Sequence, residues 1–116
     1  MTGTTRLARL HLPFFEALAR TARIGTGRVR LSISPRHVAP EARYETIRMP
    51  DLSSDPVIYA RSFLHELQHV RDVLDGVGHW TREEMELRAR HAENSVVASV
   101  IESIAHRHLH VLGRTE

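Results

Sequence analysis

The sequence predicts an α+β domain. Three observations carry that reading. Apolar residues alternate with period two across 27–35, they recur every three or four residues across 53–76, and the same helical spacing returns from 81 to about 113. The 116 residues suit one domain, 1–116. A chain of that size buries roughly 65% of its unfolded surface, enough for one core without disulfides or structural metals.

In chain order, "PFFEALARTARIG" (13–25) reads as a short helix with Pro13 in its first turn. Phe14, Leu18 and Ala22 lie on one face and Gly25 is the stop. "GRVRLSISP" (27–35) sets Val29, Leu31 and Ile33 against Arg28, Arg30 and Ser32, a half-buried strand closed by Pro35. "ARYETIRMP" (42–50) alternates more weakly and reads as a second strand closed by Pro50. In "SSDPVIYARSFLHELQHVRDVLDG" (53–76), Ser54 or Asp55 can cap a helix, Pro56 fits its first turn and Gly76 ends it. Thr81 and Glu84 then have capping-box spacing. Met85, Ala89, Ala92, Val96, Val100 and Ile104 follow as the core stripe of one long C-terminal helix, bent or straight.

Composition limits the chemistry. There is no cysteine, which excludes disulfides, thiolate nucleophiles and cysteine-type zinc sites, so any metal must be held by imidazole and carboxylate. All sixteen basic residues are arginine, yet the formal net charge is only +2 and the arginines form no block, so a nucleic-acid partner is not expected. No apolar run approaches the roughly 20 residues of a membrane span. His11, Pro13 and Glu16 interrupt the first apolar stretch, so it does not read as a secretory signal. The expected location is cytoplasmic, with no membrane partner.

The chemistry concentrates in "HELQH" (65–69). Residues four apart on a helix project on the same side, so His65 and His69 can grip one ion. Phe63, Leu67, Val70 and Leu74 lie on the opposite face, free to enter a core. Glu66 follows His65 by about 100° of rotation, flanking the ion where a carboxylate can take a proton from water. A catalytic zinc site wants a third protein ligand. Asp75 is one candidate, six residues past His69, but Asp72 stands where a helix-breaking glycine would be needed to bring it back. The other candidates lie on the next helix. Glu84 suits the cap, Glu83 faces water, Glu86 sits on the second turn, and Glu93 shares its face one heptad later as the reserve.

"HELQH" followed by "ELRAR" (86–90) resembles zincin metallopeptidases of the gluzincin type, closest to the short bacterial and phage-related versions, over residues 57–93. In that group a downstream helix supplies a glutamate followed by a small residue at +3 and a polar one at +4. The resemblance implies a minimal zincin-like domain with a small β-sheet, a helix bearing the paired histidines and a long C-terminal helix. It implies Zn²⁺ held by His65, His69 and Glu86, with Glu66 as general base in peptide hydrolysis. It also implies a peptide or protein substrate paired along an edge strand at 43–49. One departure is Arg90, where the group often carries an acidic or amide residue that orients a ligand histidine. Asp72, one turn past His69, can take that role or stand as an exposed carboxylate.

The rival expectation is a zincin-like domain that binds metal and partners without cleaving them. Tyr44, Tyr59, His79 and His91 are the candidate donors to an oxyanion. His106, His108 and His110 read as a solvated helix end, or less readily as a second metal site.

Overall fold

The computed structural model describes residues 1–51, 55–76 and 79–115, with side chains through Leu109. Along them run β1 (Thr2–Gly3), α1 (Arg6–Ala22), β2 (Arg30–Ile33), β3 (Glu41–Arg43), β4 (Thr46–Met49), α2 (Pro56–Leu74), α3 (Arg82–Glu93) and α4 (Ala98–Thr115). The predicted α+β class holds. The sheet is mixed, in the order β1-β2-β4-β3, with β1, β2 and β4 parallel and β3 antiparallel on the β4 edge.

Thr5 fastens the first helix to the sheet. Its hydroxyl accepts from Ala8 N, capping α1, donates to Ile33 O and accepts from Ile33 N. The helix therefore starts at Arg6, a full turn and more before the predicted Pro13, which sits inside it with its ring exposed. Proline is tolerated in mid-helix only at the loss of one backbone bond, so its position alone misplaced the start. Gly3 is required where it stands, because an added Cβ would meet Arg9 N at 2.8 Å. At the far end Arg23, not Gly25, ends the helix, in the left-handed region (φ 59°) with its N–H returned to Ala19 O and Arg20 O.

The predicted strand 42–50 is two strands. Tyr44 turns the chain at φ 50°, so β3 folds back on β4 with Glu41 opposite Arg48 and Arg43 opposite Thr46. No glycine or asparagine marks that turn, which hid it from the sequence. The edge strand is consequently β3, and β4, which covers most of the expected 43–49 edge, is paired on both sides.

One core joins the layers. Leu31, Ile33, Ile47 and Met49 of the sheet meet Phe15 and Leu18 of α1 and Phe63, Leu64 and Leu67 of α2, all of them buried. The Phe15 ring packs edge-on against Phe63 with 4.6 Å between centroids. Asp55 caps α2 by accepting from Val57 N and Ile58 N, and Pro56 follows as predicted, while Ser54 lies outside the described residues. At its other end Arg71 donates to Gly25 O and Gly27 O, anchoring α2 to the loop before β2.

The long C-terminal helix is interrupted. Asn94 Nδ2 donates to Arg90 O and Ser95 Oγ donates to Ala92 O, so side chains take up the carbonyls that a continuing helix would use. Val96 is buried in the break between Glu93 and Ala98, where α4 begins. On α4, His108 is no solvated end. Its Nε2 lies 3.0 Å from Nδ1 of buried His11, and its ring stacks on Phe14. His106 is exposed and the side chain of His110 lies outside the described residues.

Two stability predictions follow from these elements. Glycine takes the left-handed conformation without steric penalty, so Arg23→Gly should raise the unfolding free energy by about 0.5–1 kcal/mol in a urea titration. No change or a loss would contradict the cap geometry. Burial holds His11 and His108 below the ordinary 6.5, against a smaller upward pull on His11 from Asp51 and with His11 itself lowering His108. The unfolded chain therefore binds protons first, and their contribution is complete above 6.5 and lost as pH falls through the depressed folded values. A His11→Phe, His108→Phe double variant should show a shallower loss of stability than wild type between about pH 7.5 and about pH 5. Parallel curves would refute the linkage.

Candidate metal centre

Helix α2 divides by face. Phe63, Leu64, Leu67 and Val70 are wholly buried, and the opposite side carries His65 and His69, each about one-fifth exposed. Helix α3 packs against this side, with Thr81 Oγ1 accepting from Glu84 N at its start. Buried Ala89 and Ala92 put no bulk between the helices, which lets Glu86 reach across.

The three groups converge. His65 Nε2 and His69 Nε2 are 3.2 Å apart, Glu86 Oε1 is 2.8 Å from His69 Nε2, and Glu86 Oε2 is 3.5 Å from His65 Nε2. Donors at zinc distances in a tetrahedral arrangement stand about 3.3 Å from one another, so the observed spacings fit such an ion. Among the described residues His65, His69 and Glu86 are the set able to hold a metal. The donor chemistry, two imidazoles and a carboxylate, is of the type that zinc accepts.

Glu93 is placed differently from its expected reserve role. Its Oε1 lies 2.9 Å from His65 Nδ1, on the far side of the ring from Glu86. A carboxylate there accepts a hydrogen bond from Nδ1–H, which keeps the proton on Nδ1 and leaves the Nε2 lone pair of His65 pointing at the shared centre. The seven-residue spacing that put Glu93 on the face of Glu86 was visible in sequence; its reach to the outer nitrogen of His65 depends on how the two helices dock. Position 90, where the resemblance looked for an orienting group, holds exposed Arg90 instead.

Asp72 is neither an exposed carboxylate nor a partner of His69. It is 1% exposed, receives Nε and NH2 of Arg88 at 3.1–3.3 Å, and accepts Gln68 Nε2 at 2.8 Å. The Arg88 guanidinium also stacks 4.3 Å from the ring centre of Trp80. Arg88 is two residues from Glu86, so this pair pins the stretch of α3 that bears it. Asp75 caps α2 and pairs with Arg71, away from the three donors.

Glu66 is half-buried beside the two histidines. Burial raises its carboxyl above the usual range. The charges of His65 and His69 pull it down, and those of Glu86 and Glu41 push it further up. Strand β3, which bears Glu41, packs against helix α2. Of the candidate oxyanion donors, Tyr59 is buried with its hydroxyl donated to Pro50 O at 2.6 Å, and burial holds it protonated far above its ordinary range. Tyr44 is exposed at the β3–β4 turn, His79 meets Trp80 edge-on, and His91 is exposed on α3. One turn before His65, Arg61 keeps a buried Nε with no acceptor among the described residues, a group the sequence reading passed over.

Comparison with protein-family models, with curated proteins and with solved structures finds no match to this chain. Among the described residues no helix is long and apolar enough to cross a membrane.

The Asp72–Arg88 pair can be tested apart from any metal. Arg88→Ala leaves a buried carboxylate with Gln68 as its remaining donor among the described residues, and should cost about 3 kcal/mol in chemical unfolding. The double variant Asp72→Leu, Arg88→Leu should recover most of that loss. Additive losses would show that the two residues act separately.

Proposed function

We propose that this protein is a zinc-dependent peptidase whose metal is held by His65, His69 and Glu86. The observation that carries the reading is the convergence of both imidazole Nε2 atoms and the Glu86 carboxylate within hydrogen-bond-like distances, with Glu93 on His65 Nδ1. A zinc ion in this position supplies Lewis acidity, which acidifies water and polarises a carbonyl. Glu66 is the proton carrier. It takes a proton from the attacking water as the C–O bond forms and delivers it to the amide nitrogen as the C–N bond breaks. Its partial burial favours that task by making the carboxylate more basic. Glu93 holds the His65 ring and its tautomer through the cycle. β3 pairs with a neighbour on one side only and packs against α2, so an extended peptide added along it would run beside the helix that bears Glu66.

The second reading, a metal-binding interaction domain without catalysis, draws on the position of Tyr59, Tyr44, His79 and His91, none of which has a described bond to the three donors.

Metal analysis and one conservative variant separate these. Purified protein should carry close to one zinc per chain, about the number one donor set allows. His65→Ala, His69→Ala and Glu86→Ala should each lose it, and Glu93→Ala should weaken binding by about 10–100-fold. Asp75→Ala should leave it intact. Glu66→Gln should fold, keep zinc and lose about 10²–10⁴ in peptide hydrolysis. Metal-free protein after zinc is offered would end the assignment. Zinc in both proteins with hydrolysis by neither would favour the interaction domain.

A further inference from the structure

Helix α1 carries a second apolar stripe, on the side that packs against α4. Leu10, Pro13, Phe14 and Ala17 run along it, and with Ile104 of α4 they form the floor of a groove of about 660 Å³. Leu10 is 47% exposed, so this floor is not closed by the fold. His108, stacked on Phe14, forms part of the wall. The lining of α1 runs from Arg9 to Thr21, about 18 Å at the rise of a helix. The volume is that of a small-molecule site, too small for a folded partner.

The charge around the groove has one sign. Arg9 and Arg20 of α1 and Arg107 of α4 line it, no carboxylate does, and among the described residues none of the three is in an ion pair. Glu16, the one acidic residue of α1, is not part of the lining. Arg20 at the C-terminal end of α1 suits the helix dipole, but Arg9 does not. It stands in the first turns of a helix with no acidic residue there, where the dipole already favours an anion.

We propose that this groove binds a free single-chain alkyl carboxylate, its chain along Leu10, Pro13, Ala17 and Ile104 and its head paired to Arg9 and Arg107. A guanidinium takes a carboxylate through two parallel N–H···O bonds, which fixes the head, and the apolar floor supplies affinity in proportion to chain buried. The site is separate from the zinc reading and does not depend on it.

The experiment is calorimetric titration of the full chain with sodium decanoate below its micelle concentration, without lipid. Decyltrimethylammonium and acetate are the comparators, carrying the chain without the anion and the anion without the chain. One saturable decanoate site is expected, with both comparators weaker by about tenfold or more, a difference of about 1.4 kcal/mol. The double variant Arg9→Glu, Arg107→Glu should weaken decanoate by a similar factor. Arg82→Glu, an exposed arginine on α3, should not. Because the three substituted arginines are exposed, melting temperature and zinc content should match wild type and show that the variants fold. Absence of a saturable site, equal binding of the cation, equal loss in Arg82→Glu, or association seen only with lipid vesicles would each overturn the proposal.

Discussion

Helix α2 must satisfy two environments at once, and the placement of everything else follows from how it does so. Phe63, Leu64, Leu67 and Val70 are wholly buried. Each such side chain is worth about 1.5–3 kcal/mol of burial, so the rotation of the helix about its axis is set by the core. A turn of about 100° would drive Glu66 towards the core and bring apolar residues to water. His65 and His69 are therefore aimed by residues that never touch them, which is how a rigid element holds a polar site to sub-ångström tolerance.

The partner helix is held with similar economy. Ala89 and Ala92 permit close packing, and Asp72 with Arg88 sets where along α2 it docks. A buried ion pair adds little net stability but penalises misalignment heavily, because a shifted helix would strand a carboxylate in the interior. Glu86 and Glu93 exploit that alignment in different ways. Seven residues apart on one stripe, they reach the two nitrogens of the same imidazole from opposite sides.

How far the sequence could be read depended on whether the signal was local. Helix α2 was legible because Asp55, Pro56 and the apolar spacing all act within a few residues, and the shared face of His65 and His69 follows from the same spacing, whereas the reach of Glu86 to them depends on how α3 docks. The α1 start was missed although Thr5 caps it locally, because Pro13 offered a competing cue, while the tie of Thr5 to Ile33, 28 residues away, was beyond local reading. The β3–β4 turn was invisible because Tyr44 takes a glycine-like conformation. The break at Asn94 and Ser95 had a local cause, two side chains competing for backbone carbonyls, but the apolar stripe continued through it and masked the interruption. Glu93 and Asp72 were seen as acidic residues near the site, yet their partners are fixed only by helix docking. His108 belongs to the same class, since His11 lies 97 residues away.

His65, Glu66, His69, Glu86 and Glu93 all lie on two helices consecutive in the chain. α2 and α3 are joined by one short connection, whereas β1 and β2 are joined across the whole of α1. The candidate donor set is thus encoded in one continuous stretch of chain, 65–93, and aimed by a core to which α1 and the sheet contribute.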